Sequence, residues 1–299
     1  MPGDVSARTG VAAAVAVSLV WGLSFVAASV VLTTLSPVTL ATLRFLIASL
    51  LFAPIVASNA LRGTGPGPSD LREMALLGFL SISLYFWLQY TGVKYAGAGV
   101  SALLVVGFIP ILTGVASSII LKESLGRWKA LGAATGFLGV TMITVPRLTA
   151  VSLDPGFALG VACLLGNAVC WSLYSTLSRR LMQRTGRPAY VTGHVTLFGA
   201  LFLVPMSLTS NWGALGSLSQ GQWLSVLYLA VVCSGGGYLL WNYALSRLES
   251  VRAAIWLYLE PVAAFMGEAV ILGLLPDMVT VAGGGLVLLG ALVTSLSKK

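Results

Sequence analysis

The chain has 299 residues, 57% of them hydrophobic and only 9% charged, with 17 Lys and Arg against 9 Asp and Glu and a net charge of +8. A soluble domain carries about 25% charged residues, so this composition excludes a soluble enzyme and indicates an integral membrane protein. The positive balance does not indicate nucleic acid, because the cations stand between apolar runs rather than on one polar domain.

In chain order, ten apolar runs are expected as helical spans: 11–32, 37–58, 72–93, 98–121, 128–146, 157–178, 188–208, 222–245, 251–273 and 278–296. A bilayer crossing needs roughly 20 such residues. No strand-type alternation suggesting a barrel recurs. The longer connections, 59–71, 147–156 and 209–221, are rich in Gly, Pro, Ser and Thr, as loops are. The first run follows Arg8 as a leader would, but it continues past Trp21 to Val31 and is read as a span. Cys163, Cys170 and Cys233 fall inside apolar runs and are expected as small core residues, not as a disulfide or metal set.

The runs repeat. Pro110 and Pro261 are 151 residues apart, and the same offset links Pro37 with Pro188, Pro54 with Pro205, Gly132 with Gly283 and Gly139 with Gly290. Trp21 matches Trp171 at an offset of 150. A register held along the chain implies two homologous halves, 1–148 and 149–299. Five spans per half is an odd number, so the second half enters the membrane in the opposite sense. The expected fold is thus an all-α integral membrane protein of ten transmembrane helices, arranged as two inverted five-helix repeats. With the N-terminus in the cytoplasm, 14 Lys and Arg fall inside and only Lys94 and Arg147 outside, while Arg44 lies within a span. Both termini are therefore expected to be cytoplasmic.

Polar and aromatic residues within spans mark a candidate site. Glu260 and Pro261 sit near the middle of the ninth span, with Trp256 one turn earlier. Proline lacks an N–H and disturbs the bond from residue i−4, so bent helices are expected at Pro261 and at its mirror, Pro110. An ionisable group at membrane depth costs at least about 2.5 kcal/mol and should face protein or water. Glu260 could bind a substrate ammonium or a proton, or hydrogen-bond the backbone freed by Pro261. Tyr85 and Gln89 share a face of the third span, as Tyr238 and Asn242 do on the eighth, beside Trp241. Asn167, Trp171 and Tyr174 follow helical spacing on the sixth span, and Trp21 and Ser24 lie on the first. These residues line a cavity or hold helices together. Gly236, centre of a glycine triplet, is either a hinge or a packing contact. Gly132 and Gly136, like Gly283–Gly285 and Gly290, suit helix packing or dimerisation. Arg44 can snorkel outward, pair, or hold a substrate carboxylate. Glu123, between Lys122 and Arg127, is expected in a cytoplasmic ion pair. Glu268 is either a second site carboxylate or a packing residue.

The chain resembles the EamA-type drug/metabolite transporter superfamily. The resemblance rests on Trp21-Gly-Leu-Ser-Phe25, Leu43-Arg44-Phe45 and Pro110 with Glu123 in the first half. In the second half it rests on Trp241-Asn-Tyr-Ala-Leu245, Glu260-Pro261 and the Gly-rich tenth span. One departure is Leu274 at the mirror position of Glu123. Within the superfamily it looks most like bacterial aromatic amino-acid exporters of the YddG type. The resemblance implies export of small metabolites through a central cavity by alternating access, in the bacterial inner membrane. The expected partners are a small-molecule substrate and the lipid bilayer, with no nucleic acid and no cofactor; a monomer is one of the oligomeric states left open. Export of other metabolites or drugs, and a channel-like facilitator, are the alternatives. No phosphate loop, HExxH or nucleophile–base set suggests an enzyme.

Overall fold

The computed structural model describes residues 2–144, 155–272 and 278–295. Arg147, Leu274, Lys298 and Lys299 lie outside the described residues, and of Lys94 and Glu268 only the backbone is described. The described chain is helical. Its helices are α1 (Pro2–Leu32), α2 (Pro37–Leu61), α3 (Pro68–Gly78), α4 (Tyr85–Ile120), α5 (Arg127–Thr144) and α6 (Pro155–Thr185). They continue with α7 (Pro188–Met206), α8 (Gln220–Leu227), α9 (Tyr238–Arg247), α10 (Ser250–Ala254), α11 (Leu259–Leu272) and α12 (Met278–Ser295). Six helical stretches are long and apolar enough to cross a membrane: 7–32, 37–61, 68–93, 156–185, 188–206 and 220–247. Two shorter apolar helices cover 104–120 and 281–294.

Local sequence explains several starts. Prolines begin α2, α3, α6 and α7, where a missing N–H costs nothing. Ser36 caps α2 by accepting from the Thr39 amide at 3.2 Å, and Ser219 forms a reciprocal capping box with Gln222 ahead of α8.

Helix α4 has 36 residues. At 1.5 Å per residue it would extend about 54 Å, far beyond a hydrocarbon core of about 30 Å. Its contacts along α6 show how it fits. The Tyr85 carbonyl accepts from Asn167 Nδ2 at 2.7 Å. Further on, Ala96 abuts Gly160, where an added Cβ would stand 2.8 Å from the Ala96 nitrogen. The Ile109 carbonyl then accepts from Ser172 Oγ at 3.2 Å. The contacts run from residue 167 to 160 of α6 and return to 172, so α4 doubles back between Ala96 and Ile109. The expected turn between the third and fourth spans is made within helical residues.

The repeat is visible in the packing. A π-helical segment, Phe79–Leu84, joins α3 to α4, and another, Tyr228–Gly237, joins α8 to α9. Shifted by 151, residues 79–84 become 230–235, inside the second segment. Gly132 of α5 lies against Gly290 of α12, and Gly139 against Gly283; an added Cβ on either α5 glycine would meet the facing carbonyl at 2.6 Å. These contacts exchange under the repeat, and their order makes α5 and α12 antiparallel. The glycine faces are consumed inside the chain, which explains them without dimerisation. Likewise α1 crosses α11 where Gly22 meets the Glu260 carbonyl, as α6 crosses α4 where Ser172 meets the Ile109 carbonyl.

Charged residues gather at one end of the bundle. Glu123 pairs with Arg179 at 2.6 Å, and its other oxygen accepts from the Ser250 amide at the start of α10. Lys129 pairs with Glu249 at 2.6 Å, Arg180 with Glu73 at 3.0 Å, and Arg184 with both Asp70 and Glu73. Each of these pairs joins a residue of the first half to one of the second.

The tightest inter-half seam yields a test. Gly290→Leu drives a side chain into the Gly132 carbonyl and the Gly136 backbone, whereas Gly285 has nothing within 4 Å of an added Cβ. Gly290→Leu is expected to lower the melting temperature of the purified protein sharply, overpacking costing about 1–3 kcal/mol or more. Gly285→Leu is expected to leave it within about 2 °C, an effect below roughly 0.5 kcal/mol. Equal behaviour of the two variants contradicts the α5–α12 seam.

Candidate functional site

The sequence-expected aromatic residues meet at the junction of the halves. Trp21 on α1 stacks edge-on against its mirror, Trp171 on α6, with ring centroids 5.2 Å apart. Trp171 also contacts Tyr85 at 5.2 Å, Tyr174 at 5.2 Å, Tyr238 at 5.7 Å and Trp241 at 6.0 Å. Four helices, α1, α4, α6 and α9, thus supply one continuous ring cluster. The pairs with Trp21 and Tyr238 are edge-to-face and the other three tilted; an edge-to-face pair contributes about 0.5–1.5 kcal/mol beyond area burial. In this conformation the rings fill the space between the helices.

The polar groups around the cluster divide into two sets. Asn242 is fully engaged: its Oδ1 accepts from the Tyr174 hydroxyl at 3.1 Å and its Nδ2 donates to Thr192 Oγ1 at 2.8 Å. The Tyr238 hydroxyl donates to the Ser81 carbonyl at 2.8 Å, and Trp21 Nε1 to the Cys233 carbonyl at 3.0 Å. Ser24 donates to the carbonyl of Trp21 on its own helix. These bonds hold helices and rotamers. By contrast, Trp171 Nε1, Trp241 Nε1 and Asn167 Oδ1 are buried without a protein hydrogen-bond partner among the described residues. A buried polar atom left unpaired costs about 1–3 kcal/mol; seven hydroxyls elsewhere among the described residues share that state, but these three adjoin the aromatic rings and make the cluster a candidate site.

The proline helices cross beside this cluster. A 3₁₀ turn, Ile255–Tyr258, links α10 to α11 just before Pro261, whereas α4 remains helical through Pro110. The expected opening is therefore seen in the second half only. The Tyr258 hydroxyl lies 3.1 Å from the Gly107 carbonyl and 3.1 Å from that of Ala133, near the turn that Pro110 disturbs. Trp256 and Glu260 are half-buried. The Glu260 carboxylate makes no hydrogen bond or ion pair with another described residue, so it does not satisfy the backbone freed by Pro261. It lies within Coulombic range of the Tyr85 phenol. Gln89 is half-buried on α4.

Two features were not singled out as site residues from sequence, and for a third, Arg44, the sequence leaves the role open. The glycine that matters for contact is Gly237, where an added Cβ would stand 2.5 Å from Trp21 Nε1; Gly236 has ordinary space around it. The triplet gave the signal, and helix phase chose the member. Phe45 and Phe86 extend the ring cluster, touching one another at 5.4 Å and reaching Tyr238 and Tyr85. Arg44 does not snorkel: it is only 7% exposed, and its Nε donates to Ser234 Oγ at 2.7 Å. Tyr95, Trp128 and Trp223 are exposed, as interfacial aromatics are. The cysteines are buried and unpaired.

The model of the EamA-like transporter family matches this chain twice, over residues 8–145 and 158–296. An "Uncharacterized transporter" of Archaeoglobus fulgidus is 31% identical, the match covering 90% of this chain and 92% of the relative. A "Probable amino-acid metabolite efflux pump" of Salmonella typhimurium is 30% identical over 93% and 91% of the two chains. A "Probable terminal-alkyne amino-acid exporter" of Streptantibioticus cattleyicolor is 26% identical over 84% and 81%. One solved crystal structure superposes with a TM-score of 0.79 at 22% identity, covering 98% of this chain and 97% of the other, which bears on the fold alone. The two family matches fall on the two halves whose packing repeats, so the chain belongs to the EamA-like transporter family: it is a helical, multi-pass membrane transporter with duplicated halves, not an enzyme.

Proposed function

We propose that the chain exports amino acids, aromatic ones included, from the cytoplasm by alternating access between two inverted five-helix repeats. The observation that carries this reading is the Trp21–Trp171 contact with its surrounding rings and unpaired Trp171, Trp241 and Asn167 atoms. The site lies where the halves meet, it offers ring faces for stacking, and its free polar atoms suit a small amphipathic guest. Two of the relatives carry amino-acid export in their names. Closer kinship to aromatic amino-acid exporters is part of the proposal.

Ten crossings are counted when α4 is taken as two limbs and each π or 3₁₀ segment is joined to its neighbouring helices. The antiparallel α5–α12 seam supports the inverted sense of the halves. The excess of cations at one end supports a cytoplasmic location for both termini in a bacterial inner membrane. The ion pairs at that end join the halves and act as an inner latch. Exposed pairs contribute only about 0–1 kcal/mol each, so thermal motion can open them, while the more buried Glu123–Arg179 pair sets the order of release. Substrate then enters between the halves, stacks within the Trp and Tyr rings, and leaves on the other side once the latch re-forms.

The deciding experiment is transport of labelled phenylalanine, tryptophan and threonine in proteoliposomes, with counterflow against unlabelled substrate. Saturable counterflow is expected; its absence with substrate still passing indicates a channel. Orientation is tested separately. Cys163, Cys170 and Cys233 are buried, so an impermeant thiol reagent applied to whole cells reports on introduced cysteines. Gly216→Cys is expected to react and Gly65→Cys to react only after lysis. Four loop glycines, Gly63, Gly65, Gly186 and Gly216, have open space, but Gly63 and Gly186 have φ values of 65° and 64° that favour glycine, so Gly65 and Gly216 are the positions to substitute.

Trp171→Ala is expected to slow transport of tryptophan about tenfold and of threonine little, the loss of stacking contacts being about 1 kcal/mol or more. Trp171→Phe should restore most of it. An equal loss for both substrates assigns Trp171 to folding instead.

Glu260→Gln keeps the shape but removes the charge. With Glu260 as a substrate or proton ligand, transport or its pH dependence is expected to disappear while the protein still inserts. Wild-type rates and pH response in this variant would remove Glu260 from the site.

A further inference from the structure

Arg72, Lys129 and Arg252 stand at the ends of predicted spans, whereas Arg44 lies seven residues inside one, and the structure buries it among rings rather than leaving it exposed. Its guanidinium carbon lies 5.3 Å from the Phe45 ring centroid and 5.3 Å from that of Phe86. A guanidinium has five N–H donors. Nε is occupied by Ser234 Oγ, and the other four have no hydrogen-bond partner among the described residues. No carboxylate of the described chain pairs with it. The terminal guanidinium nitrogens are not among the fully buried unpaired atoms, so the unbonded edge of the guanidinium is open to water or to a guest.

We propose that Arg44 is the carboxylate-binding residue of the central site, its free guanidinium edge taking the substrate's carboxylate in a bidentate pair. This rests on the transport reading above and names the substrate class. The planar fork matches the two oxygens of a carboxylate. The Ser234 bond fixes the fork's orientation, and Phe86 links the fork to Tyr85 and so to the Trp171 cluster. A phosphate dianion fits less well, because no second buried cation accompanies Arg44. Glu260, without an ion-pair partner among the described residues and with its carbonyl against Gly22, next to Trp21 of the ring cluster, supplies the opposite charge for a substrate ammonium. One cation, one carboxylate and a ring cluster between helices make a site for a zwitterion with an aromatic side chain.

Three probes of one ring but different charge separate the contributions: phenylalanine, phenethylamine without the carboxylate, and 3-phenylpropanoate without the ammonium. Uptake is measured in proteoliposomes, and binding by quenching of tryptophan fluorescence in the solubilised protein. Arg44→Gln is expected to weaken phenylalanine and 3-phenylpropanoate by about tenfold or more, the effect of one charge-assisted pair, and to leave phenethylamine unchanged. Arg44→Lys, which keeps the charge but not the fork, should show the same selectivity with a smaller loss, and serves if the Gln variant does not fold. Ser234→Ala should fall between Lys and wild type, for carboxylated probes alone. Equal weakening of all three probes, or unaltered 3-phenylpropanoate binding, overturns the assignment. Wild type that carries phenethylamine alone leaves an exporter but removes the carboxylate site. Wild type that transports none of the three refutes the amino-acid reading; quenching by 3-phenylpropanoate that is lost in Arg44→Gln would then still support the carboxylate site, and no such quenching would overturn it.

Discussion

Backbone polar groups inside a bilayer have no water to bond, and every irregularity in a helix must be answered by another part of the protein. This chain places a proline near the centre of two helices that cross in its middle, and the rest of the structure is arranged around that crossing. Ser172 Oγ bonds the Ile109 carbonyl, the Tyr258 hydroxyl reaches the Gly107 carbonyl, and Gly22 lets α1 lie directly on the Glu260 carbonyl. Each of these contacts beside a proline comes from another helix, so the position of the proline helices is set together with that of their neighbours. A stable bundle and a centrally located weak point follow from the same requirement.

The weak point is polar as well as irregular. Hydrogen bonds around Asn242, Tyr174 and Thr192 are complete and hold α6, α7 and α9 in register. A few ångströms away, two indole N–H groups and one amide oxygen are left unpaired. Bonded and unpaired polar groups thus stand side by side within one cluster. A transporter needs such a contrast, because a site satisfied by its own side chains would have no reason to take a guest.

At the polar end the same logic appears with charges. Glu123 binds Arg179 and the first amide of α10, so the end of α4 is tied to the start of α10, which leads through the 3₁₀ turn Ile255–Tyr258 into α11 and Pro261. Arg179 in turn donates to the carbonyls of Leu245 and Leu248 at the end of α9. A change in the separation of the halves at this end is therefore transmitted to the helices that build the aromatic site, through bonds that can break one at a time.

Sequence alone determined the class, the duplication and the cation asymmetry, since these reside in composition and in register. The offset joining Pro110 to Pro261 and Gly139 to Gly290 needs no coordinates, and neither does the placing of aromatic and amide residues at membrane depth. Only the tertiary structure decided which of these residues were already bonded. Gly237 rather than Gly236 faces Trp21, Asn242 is engaged while Asn167 is half free, Arg44 turns inward, and the glycine faces of α5 and α12 meet within one chain. The reason is that a helix bounded by lipid on one side and apolar protein on the other carries little amphipathic signal in its sequence. Its rotation is set by where small residues allow close approach and where a distant hydrogen-bond partner stands, and both are properties of the assembled bundle.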